Sequence, residues 1–302
     1  MSGTAKGVLW MLLTGFCFVG VTVTVKVLGS EVPAAQSAFV RYLIGIGLVL
    51  PALVPILRAH MGAGELARFG LRGLFQALGV IAWFAAMTRL PVAEVTAMGY
   101  LTPVAVSIGA VLLYGERLSA PRLAALAMAF LGVLIVVRPG FREVSPGHLF
   151  MVGTMLCFSV SYLMAKRMSS ERSATVVVGM LSVTTTVALA PFAIAVWVPI
   201  GAPQVGLLTI VAVLATAGHW CMTRAFAAAP LGVTQPVVFL QLVWATAAGA
   251  LLFAEPVDGW IVLGGGVIVG AVSWLALRDA RRVSASASSR GRGLRHPPGP
   301  AV

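Results

Sequence analysis

Along this chain, runs of about twenty or more apolar positions alternate with short clusters of charged, Gly, Pro and Ser residues, and the alternation repeats ten times. The runs lie near residues 7–28, 33–57, 70–90, 92–114, 119–138, 147–168, 174–199, 205–228, 231–253 and 258–277. A helix needs about 20 mostly apolar residues to cross a bilayer, so each run has the length of one crossing. Barrel strands would alternate polar and apolar positions, and these runs do not. Because hydrocarbon offers backbone amides no partner, the pattern predicts an all-α polytopic membrane protein with ten transmembrane helices. Lys6 before the first run imitates a secretory leader, but the apolar part is too long, and the segment recurs later as a structural element.

That recurrence organises the chain. GVLWMLLTGFCFVGVTVTVK at 7–26 returns as GHLFMVGTMLCFSVSYLMAK at 147–166, with Gly7, Leu9, Met11, Thr14, Cys17, Phe18 and Lys26 in step with Gly147, Leu149, Met151, Thr154, Cys157, Phe158 and Lys166. Further along, at an offset of 139, Gly79 falls on Gly218, Leu90-Pro91 on Ala229-Pro230, and Gly115-Glu116-Arg117 on Ala254-Glu255-Pro256. The expected organisation is a short N-terminus (1–6), a first repeat (7–138), a linker (139–146), a second repeat (147–278) and a basic tail (279–302). Five helices per repeat is an odd number, so the second copy enters the membrane from the opposite side. An inverted repeat of this kind can expose a midplane site alternately to either side.

Composition agrees: 59% of the residues are hydrophobic, 10% are charged, and the mean hydropathy is +0.99. A net charge of +12 would suggest nucleic acid in a soluble chain, but here its placement points to the membrane. With a cytoplasmic N-terminus, the inner side receives Lys6, Arg58, Arg68, Arg72, Arg117, Arg122, Lys166, Arg167, Arg172, Arg224 and the tail arginines. Lys26, Arg41, Arg89, Arg138 and Arg142 remain for the outer side. That bias follows the positive-inside rule and puts both termini in the cytoplasm. The Ser-, Arg-, Gly- and Pro-rich tail has too little apolar surface to order itself and is expected near anionic headgroups.

Two segments resemble a known family. FVRYLIGIGLVLP at 39–51 is similar to an arginine-led second helix, and RLPVAEVTAMGYLTPVAVSIGAVLLYGERLSAPRLAALAMAFLGVLIVV at 89–137 to the stretch from the end of the third helix through the fifth, in the EamA domain of the drug/metabolite transporter superfamily. The resemblance spans about residues 7–278. It implies a ten-helix carrier whose central cavity is lined mainly by the first, third, fourth, sixth, eighth and ninth helices. The second copy departs from it, with no arginine matching Arg41. The family carries amino acids, nucleosides, vitamins, metallophores and drugs, so the substrate is left open.

Polar residues within the runs must face protein or a water-filled cavity, which makes them the candidates for a site. These are Gln76 and Trp83, two turns apart; Tyr100 near Thr102 and Pro103; Tyr162; His219 and Trp220; and Gln235 and Gln241. The plainer alternative is that they bond across helices. His219 is the proton-coupling candidate, because an unperturbed imidazole titrates near physiological pH. Glu116 and Glu255 lie in turns ahead of the potential caps Ser119 and Asp258 and are expected to organise those turns, with a gating ion pair as the alternative. Cys17, Cys157 and Cys221 show no metal spacing, and the Gly266–Gly270 and Ala245–Gly249 spacings read as close-packing faces. No nucleophile with a base, and no acidic cluster for a metal, argues for an enzyme or a cofactor.

The expectation is a secondary carrier of a bacterial inner membrane, taking a small amphipathic or amino-acid-like molecule outward. Its lining combines aromatics and amides, with fixed charge confined to the cavity mouths. Uptake of a vitamin or nucleoside-type nutrient such as riboflavin is the alternative, and a non-transporting membrane subunit is more distant. A homodimer is compatible with this reading.

Overall fold

The computed structural model describes residues 3–48, 61–102, 105–106, 108–109, 120–138, 143–168, 171–172, 174–228, 237, 240–271, 273–274 and 277–278. Each apolar run contains a helix: α1 Gly3–Leu28, α2 Ala34–Leu48, α3 Ala63–Met87, α4 Val92–Gly99, α5 Ala120–Val137, α6 Pro146–Met168, α7 Ala174–Ala195, α8 Ala202–Ala228, α9 Leu240–Phe253 and α10 Gly259–Ala271. In α1, α3, α6, α7 and α8 the apolar spans are 20 to 25 residues long, about 30 to 38 Å. Hydroxyls inside these spans bond back to their own helix. Thr14 donates to the Trp10 carbonyl at 2.9 Å and Thr154 to that of Phe150 at 2.9 Å, which spares these two hydroxyls from facing hydrocarbon unpaired.

Helix direction can be followed through contacts at the ends. The last turn of α1 carries Lys26, beside Leu90 just ahead of α4 and Glu255 in the turn between α9 and α10. α6 begins at that same end, where Gly147 packs on Leu90 and Arg89. The first helices of the two repeats therefore run in opposite directions. The pairing is reciprocal as well: α1 packs along α8, the third helix of the other repeat, and α3 packs along α6, the first helix of the other repeat. A Cβ on Gly79 would lie 3.1 Å from Cβ of Cys157 and 2.6 Å from Cδ1 of Phe158; one on Gly218 would lie 3.1 Å from Cβ of Cys17 and 3.4 Å from Cζ of Phe18. The residues that recur in sequence thus meet each other's partners in space. The cysteines here are packing groups against a glycine that lets two helices approach.

Two details differ from the sequence expectation. α3 starts at Ala63 rather than near 70 and takes Glu65 and Arg68 into the helix. Its charged first turn is matched across the repeats: Arg172 donates to both Glu65 oxygens at 2.6 and 2.7 Å, and Arg68 sits 3.0 Å from Glu171. The paired carboxylate raises the affinity of the Arg172 guanidinium for its proton. Second, the close packing expected of Gly266 and Gly270 falls on their neighbours. Nothing among the described residues lies within 4 Å of a Cβ built at 266 or 270, whereas Gly264 meets the Gly132 backbone and Gly265 meets Leu242 and Ala97. The helix face turned to α5 and α9 is offset from the 266/270 stripe.

Candidate functional site

At the Lys26 end, one carboxylate joins three elements. Glu255, just after α9, forms an ion pair with Lys26 of α1, and its second oxygen accepts the Val92 N–H of α4 at 3.0 Å. Lys26 also donates to the Leu90 carbonyl at 2.9 Å. To reach this position the turn puts Ala254 at φ 51°, left-handed backbone that costs an alanine strain; the residue matching it in the first copy is Gly115. Asp258 caps α10, accepting the Trp260 N–H at 2.9 Å, and forms an ion pair with Arg138. Glu255 thus holds the turn through an ion pair to the opposite repeat. Glu116 lies outside the described residues.

A second, fully buried pair at this end went unnoticed in the sequence. His148 in the first turn of α6 meets Glu94 in the first turn of α4 at 2.7 Å, and neither is more than 5% exposed. The His148 Nδ1 lies 3.0 Å from the Ser145 amide nitrogen and 3.2 Å from its carbonyl oxygen; in the tautomer whose Nδ1 accepts the Ser145 N–H, Nε2 donates to Glu94. Nearby, an apolar cleft of about 290 Å³ opens between α1, α2 and α3, bordered by Val32, Phe84 and Thr88.

The polar interior lies deeper. Arg72 is nine positions into α3, about 13 Å along it, and is only 4% exposed. Its Nη1 donates to the Val177 carbonyl of α7 at 3.0 Å, while its buried Nε has no partner. No acid pairs with it among the described residues. The adjacent Gly73 explains how so bulky a group fits against α7: a Cβ there would lie 2.5 Å from Oγ1 of Thr184, so glycine brings the two backbones together. One turn on, the buried Gln76 amide accepts the Ser161 hydroxyl of α6 at 2.8 Å. The phenols of Tyr42 and Tyr162 lie within electrostatic reach of the Arg72 guanidinium. Arg41 stacks over the Tyr42 ring at 4.2 Å, and it reaches His219 electrostatically. Tyr162 keeps 43% of its surface accessible and His219 is exposed too, so neither belongs to the packed core.

Other candidates occupy the walls. Trp83 packs by its edge on Phe158 at 6.4 Å, and the Phe158 ring lies 6.0 Å from Tyr162. His219 meets the Phe18 ring edge-on at 5.1 Å. Trp220, 54% exposed, packs edge-on against Trp10 at 5.2 Å, with Arg224 over both rings. Tyr100 ends α4 where the chain turns before resuming helix at Thr102, just ahead of Pro103, and its hydroxyl meets the backbone of Leu242 in α9. Gln241 backs onto Gly15 of α1, a built Cβ lying 3.6 Å from its own. Gln235 and Pro103 lie outside the described residues.

Fixed charge is therefore not confined to the mouths. Arg72, assigned from sequence to the cytoplasmic surface, is buried in α3, and Arg41, assigned to the outer one, lies half-buried midway along α2 over the Tyr42 ring. A buried ion without a counter-charge costs several kcal/mol even after relaxation. The repeat itself carried the missing signal. At an offset of 139, Arg72 faces Val211 and Gln76 faces Ala215, both buried in α8 at 0% and 2%. The twin position shows that the shared fold needs no charge there.

Comparison with known proteins places this arrangement. The model of the EamA-like transporter family matches residues 5–138 and 145–277, one match per repeat. The riboflavin transporter of Rhizobium johnstonii is 31% identical over 289 residues, 93% of this chain and 94% of its own length. The pseudopaline exporter CntI of Pseudomonas aeruginosa is 29% identical over 92% of this chain and 97% of its own, and the S-adenosylmethionine uptake transporter of Rickettsia prowazekii 22% identical over 94% and 97%. A crystal structure with 21% identity superposes with a TM-score of 0.55 over 93% of this chain and 98% of its own, a likeness of fold. With a match in each of its two inverted repeats, the chain belongs to the EamA-like transporter family and is a multi-pass membrane transporter, not an enzyme.

Proposed function

We propose that this protein is a secondary carrier of a bacterial inner membrane that moves a small amphipathic or amino-acid-like metabolite outward by alternating access, with both termini in the cytoplasm. The observation that carries the reading is the reciprocal packing of α1 on α8 and α3 on α6, in which equivalent glycines receive equivalent Cys-Phe pairs. Two near-equivalent interfaces between inverted halves can exchange geometry by rocking, closing one end as the other opens. In this topology the Lys26 end is the outer one. Its links between repeats, Lys26–Glu255, Arg138–Asp258 and Glu94–His148, hold that end shut, and Glu65–Arg172 and Arg68–Glu171 join the inner end.

The candidate lining combines the contact area of Trp83, Tyr100, Tyr162 and Trp220 with the hydrogen-bonding amides Gln76, Gln235 and Gln241, a combination suited to a flat or apolar body bearing a few polar groups. His219, which keeps accessible surface on α8, is the group we assign to proton coupling. Export is supported by the likeness to a pseudopaline exporter; the somewhat greater identity to a riboflavin transporter favours uptake of a vitamin-type nutrient as the second reading. Comparing metabolites inside and outside cells with the gene deleted or overexpressed tests both. One small metabolite accumulating inside the deletant supports export, a growth defect cured by an external nutrient together with the intact gene supports uptake, and no change in either overturns the carrier reading.

A further inference from the structure

We propose that Arg72, with Tyr42 and Tyr162 beside it, is a carboxylate-recognition site within the membrane, taking the anionic end of the transported molecule. The proposal rests on the carrier reading above and narrows its substrate class to monocarboxylates with a flat or apolar body.

Three independent observations carry it. The guanidinium offers five N–H donors, and the described residues engage it through a single carbonyl, that of Val177, with the buried Nε left without a partner. A permanently charged group in that state, 4% exposed and well inside a membrane-spanning helix, calls for a counter-charge, and no acid of the described chain provides one. Second, Tyr162, within electrostatic reach of the guanidinium, is not packed away: it keeps 43% of its surface accessible. Third, the charge is dispensable for the architecture, because Val211 occupies the equivalent position of α8 at 0% exposure.

The chemistry of the neighbours selects the ligand. A planar guanidinium edge matches the two oxygens of a carboxylate and forms charge-assisted hydrogen bonds with it. The phenols of Tyr42 and Tyr162 can donate to the same oxygens, and their rings, with Phe158 and Trp83 beyond, supply a flat apolar wall. Arg41, stacked on the far partner Tyr42, adds positive potential without contacting the ligand. Gln76 is held by Ser161 one helical turn away and keeps its amide hydrogens for a second polar group. A neutral molecule would leave the Arg72 charge uncompensated, so the site discriminates against it.

The test uses the purified full-length protein in detergent and two probes of nearly the same shape, sodium benzoate and benzamide. Benzoate is expected to raise the melting temperature at millimolar concentrations and benzamide to do so far less. Arg72→Val, which installs the residue of the twin position, should abolish the benzoate shift while the benzamide response stays as in the wild type; Arg72→Lys should retain part of it. Equal responses to the two probes in the wild type, or a benzoate shift that survives in Arg72→Val, overturn the proposal. Should Arg72→Val fail to fold, the wild-type protein decides alone: butane-2,3-dione modification of Arg72, followed by peptide mass spectrometry, should be slowed several-fold by benzoate and not by benzamide, and equal rates overturn it. A deletant that accumulates a metabolite although the benzoate test fails removes the anion site and leaves the carrier reading standing; a deletant with no metabolite phenotype removes the carrier reading whatever Arg72 binds.

Discussion

The crossing of α5 and α10 is the contact between repeats with the least tolerance, and its failure under a single methyl group is measurable. A Cβ on Gly132 would lie 2.7 Å from the Gly264 carbonyl oxygen, 2.5 Å from Cγ1 of Ile268 and 3.0 Å from the Ile268 amide nitrogen. Conversely, a Cβ on Gly264 would lie 2.7 Å from Cγ2 of Val136 and 3.0 Å from its amide nitrogen. Backbone atoms cannot rotate away, so Gly132→Ala must push the helices apart by roughly half an ångström to an ångström before ordinary contact distances return, loosening the surrounding packing of Ala129, Val136 and Ile268. Overpacking of this kind costs about 1–3 kcal/mol, and with rigid partners the upper end applies. Against it stands the helix-propensity gain of alanine over glycine, about 1 kcal/mol. The net expectation is a loss of about 2 kcal/mol, which for a chain of this size lowers the melting temperature by about 3 °C. Gly266→Ala and Gly270→Ala on the same helix are the controls, since no described atom lies within 4 Å of either Cβ, and only the gain applies. Fluorescence-detected size exclusion after heating compares the three variants with the wild type in one detergent. If Gly132→Ala melts with Gly270→Ala rather than several degrees below it, the α5–α10 contact is not as close as described.

Four further outcomes follow from the same structure. Ala254→Gly should raise stability by about 1 kcal/mol, because it relieves a left-handed alanine at φ 51°, and unchanged thermal melting would mean the turn is not strained. Glu255→Ala should destabilise more than Glu255→Gln, by about 1–2 kcal/mol in thermal melts, because the amide can still accept the Val92 N–H while alanine strands both that donor and Lys26; equal losses would reduce Glu255 to its charge alone. Reporter fusions after Arg172 and Ala280 should read as cytoplasmic and one near Gly201 as external, and a cytoplasmic signal at Gly201 refutes the proposed sidedness. His219→Gln should remove the dependence of transport on a pH gradient, whereas survival of that dependence with ordinary substrate affinity leaves the Phe18-packed imidazole a packing residue.

What was legible in the sequence and what was not divide along a physical line. Hydropathy records the cost of moving each residue into lipid, a property of the residue alone, so helix number and approximate position could be read directly. The inverted arrangement was legible for a related reason: Cys17-Phe18 and Cys157-Phe158 recur because each pair meets the glycine of the other repeat's third helix, and a contact made twice is written twice. The Glu94–His148 pair was hidden because its members are 54 positions apart, in different repeats, and each is an ordinary first-turn residue by itself. The early start of α3 was hidden because Glu65 and Arg68 read as solvated loop until Arg172 and Glu171 are seen opposite them.

Arg72 marks where a residue-by-residue scale reverses its own meaning. A lone arginine at the edge of an apolar run is assigned to water because burying it is unfavourable, and that assignment holds only while the chain gains nothing from the charge. A duplicated chain allows the two cases to be separated. Where both copies keep a residue, as at Gly79 and Gly218, the shared architecture requires it; where one copy keeps a buried cation and the other a valine in equivalent packing, the architecture does not. The unfavourable member must then be maintained by something outside the fold, and in a transporter that something is the molecule it moves. The same comparison bears on Gln76 against Ala215 and on Arg41, which has no arginine opposite it. Two repeats of one plan build the moving parts, and the positions at which they disagree concentrate the chemistry in the first copy and α6.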